Sequence, residues 1–332
     1  MVLTYKDSTE AVTERIQRTV YFVPEAGLYK LSFQAMSTLC RVSFQTGNPA
    51  SAQAYAKEVV QWVGWFEARY SRFLKDSLIS RINSAAGKEW VEIDPETEAL
   101  FNLCQELIFF TRGVFDPTAL PLIRLWNWKA SPPVIPSEAQ IRAAQALVGW
   151  KQVQRRQGGI FLPRQGMCLD LGGIGKEYAV DRVVTMALER GIMNVMVDFG
   201  QDVRVHGMPA GKPAWHIGLQ DPNDLSRCWT GVAVTNHAVA SSGSGMRYFE
   251  HAGQRYCHIL DPRTGYPVNN GTRGVSIIAP HCTFAGILST AAFILGLTEG
   301  MEMISLCPGV EGCIITETAR NQTRMFHAYT TS

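Results

Sequence analysis

The sequence predicts a protein built from both β-strands and α-helices, folded as one large domain or two small ones. The chain has 332 residues, of which 46% are hydrophobic, so it is long enough to bury a sizeable core. Short runs of β-branched and aromatic residues recur along it, and in several of them apolar and polar positions alternate. Between these runs lie longer segments whose apolar residues repeat with the spacing of one helix face.

Composition argues against several classes of function. The formal net charge is +2 with both signs mixed along the chain, so no nucleic acid partner is expected. No apolar run approaches the roughly 20 residues that span a membrane, so no transmembrane segment is predicted. The start of the chain has no signal pattern, so a cytoplasmic location is expected, and a periplasmic one stays open if a leader was removed. The eight cysteines are scattered without a CxxC pair, which fits a reducing compartment.

The first half of the chain is predicted to begin with a loose polar arm over residues 1–16. Strands and then helices follow, and Asp76 and Ser77 are candidate N-caps for a short helix among them. Proline-rich loops are expected between residues 113 and 136. The predicted strands are Thr19–Pro24, Tyr29–Ala35 and Leu39–Gln45, and the predicted longer helices are Pro49–Tyr70, Pro95–Thr111 and 137–147.

The second half is predicted to be mostly strands, with two longer helices and a short helix just before the strand Gly312–Thr316. One helix follows a glycine-rich turn and runs to Arg190, and the other is the apolar segment Phe284–Leu297. The predicted strands are Lys151–Arg155, Gly159–Pro163, a strand just before the glycine-rich turn, Asn194–Asp198, Val203–His206, Trp215–Leu219, Gly231–Thr235, Ala238–Ser241, Tyr256–Leu260, Gly274–Ala279, Gly312–Thr316 and Arg324–Tyr329.

The glycine-rich turn is the sequence Asp170-Leu-Gly-Gly-Ile-Gly-Lys-Glu-Tyr-Ala-Val-Asp181. A glycine-rich turn that opens a helix exposes backbone N–H groups at the positive end of the helix dipole, which favours an anion such as phosphate. The alternative interpretation is close packing of a helix on a strand. The motif matches neither the dinucleotide-binding nor the Walker pattern, so both interpretations stay open.

The segment His258–Pro267 places a histidine and an aspartate where a predicted strand ends in a polar turn. A rigid scaffold often presents reactive side chains at such a point. Pro262 and Pro267 restrict the turn, and Gly265 permits a positive φ between them. The alternative interpretation is a tight turn with one structural ion pair.

Together with these two segments, four others form an ordered set that resembles the ApbE family, the FAD:protein FMN transferases. The resemblance runs from about Phe33 to near the carboxyl terminus. The motifs are Ala-Met-Ser-Thr at 35–38, the segment 71–83, Gly-Val-Phe-Asp-Pro-Thr at 113–118 with Pro121-Leu and Leu125-Trp126 after it, the glycine-rich turn 170–181, Ser-Ser-Gly at 241–243 and His-Ile-Leu-Asp-Pro-Arg-Thr-Gly at 258–265.

The resemblance implies a single α+β domain over residues 17–332, with mixed and antiparallel sheets flanked by helices in a T-fold-like arrangement. It implies that the protein binds FAD and, with Mg²⁺, transfers FMN to a serine or threonine hydroxyl of a partner protein, releasing AMP. The implied partners are flavoprotein subunits of quinone reductases and related electron-transfer proteins. Some family members instead hydrolyse FAD to FMN and AMP.

By the same resemblance, eight residues are expected to border FAD, and His258 and Asp261 are the candidate catalytic residues. One of the two would polarise the phosphate or accept the proton of the acceptor hydroxyl, and the sequence does not decide which. Tyr178 is equally compatible with an ordinary core position. The expected FAD-binding residues are Met36, Phe73, Val114, Phe115, Asp116, Gly172, Tyr178 and Leu260.

The resemblance also implies a metal site, and this chain departs from it. The expected ligands are the carbonyl of Gly175 and the hydroxyl of Thr290, but Gly286 stands where the family has an aspartate. A carboxylate is therefore missing, although carboxylates dominate Mg²⁺ recruitment. Lesser departures are Gln201 and Gly245. The alternatives to an active transferase are a catalytically weak FAD carrier or sensor, an FAD pyrophosphatase, and a structural or partner-binding protein without flavin.

Overall fold

The computed structural model describes residues 5–128, 130, 133–245, 248–251 and 253–331. Its helices are α1 Tyr5–Gln17, α2 Pro49–Tyr70, α3 Leu78–Ser84, α4 Pro95–Phe110, α5 Leu120–Leu125, α6 Glu138–Gln145, α7 Gly175–Glu189 and α8 Cys282–Ser305. Its strands are β1 Tyr21–Glu25, β2 Leu28–Ala35, β3 Thr38–Gln45, β4 Val91–Glu92, β5 Gln154–Arg156, β6 Gly159–Phe161, β7 Asn194–Phe199, β8 Asp202–His206, β9 Trp215–Asp221, β10 Asp224–Val234, β11 Ala238–Gly243, β12 Tyr248–His251, β13 Gln254–Cys257, β14 Leu260–Asp261, β15 Tyr266–Pro267, β16 Thr272–Ala279, β17 Glu311–Thr316, β18 Arg320–Gln322 and β19 Thr330–Thr331.

A nine-stranded sheet organises the chain, in the order β1-β2-β3-β7-β8-β11-β16-β17-β18. Every neighbouring pair in it is antiparallel. Smaller sheets are formed by β19-β10-β9, β4-β6-β5, β12-β13 and β14-β15. The α+β fold predicted for the chain is confirmed.

One face of the large sheet packs against helices α2, α7 and α8. The alternation of buried and more exposed residues along β3 explains this packing, because Cys40, Val42 and Phe44 are buried and all point to the helical side. In the neighbouring strand β7, Val197 lies opposite Val42 and continues the apolar surface. Full burial of each large apolar side chain contributes about 1.5–3 kcal/mol, so this core is the main source of stability.

The other face carries a second core against the small sheet β19-β10-β9. Trp215 and Val232 of the small sheet pack there with Phe326. The interior strand β16 is buried on both sides, with Ile277 in the first core and Ile278 in the second. This double burial accounts for the consecutive apolar residues Ile277, Ile278 and Ala279 at its end.

Residues 5–16 of the predicted loose arm 1–16 instead belong to α1, which packs on α2, and residues 1–4 lie outside the described residues. Val12 and Ile16 are buried, one helical turn apart. Gly64 of α2 permits the close approach, since a Cβ there would lie 2.3 Å from Oγ1 of Thr13. Two buried apolar residues in a mostly polar segment give too weak a periodicity to predict a helix.

Several other predictions were wrong in detail, and the predicted strand Tyr256–Leu260 is one of them, because it is interrupted at residues 258–259. The proline-rich loop contains α5, with Pro121 in its first turn, where the missing N–H has no helical partner. The segment before the glycine-rich turn forms no strand. The predicted strand Arg324–Tyr329 is instead a 3₁₀ turn over Phe326–Tyr329, because Phe326 turns inward to the second core.

Helix α8 is the most apolar of the longer helices and lies in the first core. It is 24 residues long, and by length and composition alone it is the one helix in the described ranges that is able to cross a membrane. Its most apolar window is 67% buried against the rest of the domain. Gly296, with φ of 81° and ψ of −172°, breaks its helical backbone. The burial explains the apolar composition as that of a core helix.

Candidate functional site

A strained turn at Met36 and Ser37 begins the site. Both residues have positive φ, 49° and 60°, although neither is glycine. The register Ala35 to Thr38 leaves these two residues as the loop of the β2–β3 hairpin, where primed turns require positive φ. Such conformations cost of order 1–3 kcal/mol each and are found at functional sites.

Glu67 of α2 holds this turn in place. Its Oε2 accepts a hydrogen bond from the backbone N–H of Met36 at 3.0 Å, and its Oε1 pairs with Nη2 of Arg15 at 2.7 Å. Helix α1 therefore supports the turn through Arg15, a contribution that sequence reasoning missed.

The turn faces a cavity of about 440 Å³. Four residues predicted to bind FAD or metal, Met36, Phe73, Gly172 and Gly175, line it together, although they come from three separate motifs. The cavity is also lined by Arg15, Phe66, Glu67, Tyr70, Arg72, Asp170 and Lys176. The charged members of this lining give it the polar groups that fix the orientation of a ligand.

Arg72 joins the second motif to the glycine-rich turn at the cavity. Its Nε lies 3.0 Å from Oδ2 of Asp170, and Oδ1 of Asp170 accepts the N–H of Gly172 at 3.0 Å. The guanidinium also lies 4.2 Å from the ring centre of Phe73. Phe73 is 75% exposed, an unusual state for a large apolar side chain, and it leaves a ring face available at the rim.

The glycine-rich turn satisfies several of its own amides. Ile174 and Gly175 donate to the carbonyl of Leu171 at 3.0 and 2.7 Å, and Gly172 donates to Asp170. These bonds fit the packing interpretation of the turn. Whether the turn also binds phosphate stays a prediction.

The remaining residues predicted to contact FAD lie outside the described lining of this cavity. The ring of Tyr178 stacks on that of Phe66, which lines the cavity, with the ring centres 5.8 Å apart. Burial is the main cause that raises the pKa of the Tyr178 hydroxyl, and the negative charge of Glu96 adds to it. Phe115 borders the glycine-rich turn, since a Cβ on Gly173 would lie 3.6 Å from it. Val114 is buried in the first core.

Asp116 has an evident structural role. Its Oδ1 accepts the backbone N–H and the hydroxyl of Thr118, at 2.8 and 2.6 Å. Its Oδ2 accepts the N–H of Trp150 at 3.0 Å. The carboxylate therefore organises the loop behind the glycine-rich turn.

Asp261 forms the ion pair that the alternative interpretation of its turn predicted. Its carboxylate accepts hydrogen bonds from Nη2 of Arg263 at 2.8 Å and from the Arg263 backbone N–H at 2.9 Å. The hydrogen bonds that the Arg263 guanidinium donates to Asp261 raise the pKa of Arg263. His258 is half-buried, and Leu260 packs in a small cluster with Trp126.

A second cavity, of about 500 Å³, lies beside the Ser241–Gly243 motif. The two lesser departures, Gln201 and Gly245, both line it. Ser242 also lines it, and the Ser242 hydroxyl lies 2.9 Å from Oγ1 of Thr290 and 2.8 Å from Oγ of Ser289. The predicted metal ligand Thr290 therefore belongs to a cluster of hydroxyls.

Glu177 lies against Gly286 and belongs to a group of charged residues that are largely buried. Glu177 and Asp202 are only 8% and 7% exposed, and Lys176 pairs with Asp202. Oε1 of Glu177 lies 3.6 Å from Nζ of Lys176. Sequence reasoning missed Glu177, although it is a charged residue in the first turn of a helix with a buried face.

Within the described ranges, no group of three or more His, Cys, Asp or Glu side chains is placed to hold a metal ion. A metal here would need backbone carbonyls, hydroxyls and water to complete its coordination. Mg²⁺ is commonly bound in this way, through one or two carboxylates and several waters.

Comparison with known proteins identifies the group to which this fold and these motifs belong. The model of the ApbE family matches residues 36–314. The chain is 30% identical over 307 residues to an FAD:protein FMN transferase of Treponema pallidum, covering 86% of this chain and 84% of that one. It is 28% identical to the protein of the same name from Vibrio cholerae, over 82% of this chain and 83% of the other.

Solved structures agree with this assignment. The ApbE protein of Thermotoga maritima superposes with a TM-score of 0.83 at 32% identity, covering 92% of this chain and all of that one (100%). The flavin transferase ApbE of Vibrio cholerae gives 0.81 at 25% identity, with 93% and 99% covered. The architecture is thus that of the flavin transferases. The chain belongs to the ApbE family, as its motifs predicted.

Proposed function

We propose that this protein is an FAD:protein FMN transferase. The observation that carries the proposal is the convergence of Met36, Phe73, Gly172 and Gly175 on one cavity, within the fold of a family whose related members bear that name. The cavity combines an exposed aromatic ring with Arg15, Arg72 and Lys176. Aromatic stacking suits a flavin or adenine ring, and the cations suit a pyrophosphate.

The residues present fit the Mg²⁺ that such a reaction requires. The first turn of α7 offers the carbonyl of Gly175, and α8 offers the hydroxyl of Thr290. Oε2 of Glu177 is a buried oxygen with no hydrogen-bond partner in the described ranges. When bound, Mg²⁺ would neutralise charge that builds on the phosphate oxygens.

In the proposed reaction, a serine or threonine hydroxyl of the partner attacks the flavin-side phosphorus of FAD. A bond forms between the hydroxyl oxygen and this phosphorus, and the bond to the bridging oxygen breaks. AMP leaves with the bridging oxygen, and the proton of the hydroxyl passes to a base of the protein. We propose flavoprotein subunits of quinone reductases and related electron-transfer proteins as the acceptors.

We assign the base to His258 and a positioning role to Asp261. Both oxygens of Asp261 are engaged by Arg263, so this carboxylate fixes the turn that follows His258. Imidazole is the most frequent general base in enzymes.

A direct experiment tests the transfer. The protein is incubated with FAD, Mg²⁺ and an acceptor subunit, and AMP is measured with the protein-bound flavin. We expect AMP and covalent flavin in equal amounts, and a loss of 10²–10⁴-fold for His258→Ala. AMP with free FMN would identify a pyrophosphatase. Bound FAD without AMP would identify a flavin carrier, the alternative that the glycine at 286 favours.

A further inference from the structure

Glu177 occupies the space that a side chain at position 286 would need. Helices α7 and α8 pack against each other, and Glu177 meets Gly286 at their contact. A Cβ on Gly286 would lie 2.6 Å from Cγ of Glu177 and 3.1 Å from its Oε1. The first distance is too short for two carbon atoms that are not bonded to each other. Glu177 can therefore lie there only because residue 286 is a glycine.

The Glu177 carboxylate is poorly satisfied where it lies. The residue is 8% exposed, and its Oε2 is buried with no hydrogen-bond partner in the described part of the chain. Its Oε1 is 3.6 Å from Lys176, beyond hydrogen-bond distance, while Lys176 is engaged closely by Asp202. Burying an unpartnered charged oxygen is costly unless another group compensates it.

We propose that Glu177 supplies the carboxylate ligand of the divalent-cation site, in place of a side chain at position 286. The inference rests on the proposed function. Thr290 lies one helical turn after Gly286, so its hydroxyl projects from the same face of α8 that Glu177 meets. Gly175 precedes Glu177 by two residues in the first turn of α7. Carbonyl, hydroxyl and carboxylate oxygens are the ligands that a hard cation such as Mg²⁺ prefers.

The competing explanation is that Lys176 alone neutralises Glu177. In that case the carboxylate would be a structural partner of the lysine, and removal of its charge would leave cation binding unchanged. Glu189 provides a matched control, because it lies on the same helix and is half-exposed in a pair with Arg182.

The test uses Mn²⁺ as a spectroscopic probe of the site, with free Mn²⁺ measured by electron paramagnetic resonance in the presence of FAD. We expect Glu177→Gln to weaken Mn²⁺ binding at least tenfold and Glu189→Gln to leave it within twofold. Equal binding by Glu177→Gln and the unmodified protein, or no Mn²⁺ binding by the unmodified protein, would overturn the inference.

A relocation experiment gives an independent test that does not depend on how well Glu177→Gln folds. Glu177→Gly removes the carboxylate and frees its space, and adding Gly286→Asp returns a carboxylate from the opposite helix. We expect the double variant to bind Mn²⁺ at least tenfold more tightly than Glu177→Gly alone. Gly286→Asp alone should bring no gain, since Glu177 fills the space. A double variant no better than Glu177→Gly would overturn the inference.

The failure of this inference and that of the proposed function are separable. If the protein releases AMP but its Mn²⁺ affinity does not depend on residue 177, the proposed FMN transfer stands and Glu177 is not a ligand of the cation. If Mn²⁺ binding depends on Glu177 but no AMP is released, Glu177 is a ligand of the cation and the proposed FMN transfer is wrong.

Discussion

Asp181 is expected to be one of the most important single side chains for stability. It lies on α7, and its Oδ1 accepts Nη1 of Arg204 at 2.9 Å and the N–H of Cys282 at 2.8 Å. Its Oδ2 accepts the N–H and the hydroxyl of Thr283, at 2.8 and 2.7 Å. The first residue before α8, His281, makes no side-chain cap, so Asp181 caps this helix from another element.

The expected loss in the free energy of unfolding follows from these contacts of Asp181. A hydrogen bond to a charged group contributes about 1.5–3 kcal/mol, but bonds to one carboxylate are not additive. Breaking a largely buried ion pair costs about 3–5 kcal/mol, and the side chains of Asp181 and Arg204 are only 16% and 15% exposed. We therefore expect Asp181→Ala to lower the free energy of unfolding by about 4 kcal/mol. Asp181→Asn keeps one acceptor oxygen but loses the charge, so a loss of about 2 kcal/mol is expected.

Urea unfolding followed by far-UV circular dichroism measures both variants. Glu189→Gln is the control, because its partly exposed pair with Arg182 should contribute at most about 1 kcal/mol. An Asp181→Ala protein no less stable than this control would refute the reasoning that α8 is capped from α7.

Three further predictions concern the cavity and the thiols. Met36→Gly should raise the free energy of unfolding by about 1 kcal/mol, because it removes the strain of a non-glycine residue in the left-handed region. The same change should lower the affinity for FAD, which flavin fluorescence measures. Phe73→Ala should weaken FAD binding by about 0.5–1.5 kcal/mol in the same assay, with unfolding changed by less than about 0.5 kcal/mol. Of the eight cysteines, Cys228 alone is exposed, and burial raises the pKa of Cys40 and Cys104 to about 12. One thiol of the native protein should therefore react with a thiol reagent near pH 8, and all should react in denaturant.

Each of these predictions has a contradicting outcome. A Met36→Gly protein that is less stable would show that the side chain stabilises the turn. Unchanged FAD binding by Phe73→Ala would place the flavin elsewhere. Rapid reaction of several native thiols would contradict the burial, and Cys228→Ser should abolish the single fast reaction.

Much of the fold was predictable because its signals are local. The helix Pro49–Tyr70 and the alternation of Tyr29–Ala35 both follow from the spacing of apolar residues. Helix α1 was missed because its burial depends on Gly64, a residue far along the chain. The 3₁₀ turn at Phe326 was missed because the second core, rather than local propensity, decides its backbone.

The sequence by itself determined the family, because six motifs occur in a characteristic order along the chain. It also gave Met36, Phe73, Gly172 and Gly175 as candidate site residues, and the fold brings these four to one cavity. Through the family resemblance, it also predicted that the metal site lacks a carboxylate at position 286. Only the tertiary structure decided that Glu177 lies against that glycine, and that Asp261 is held by Arg263. The physical reason is that contacts between residues 109 positions apart, such as Glu177 and Gly286, depend on how two helices pack. Such packing leaves no periodic trace in either segment.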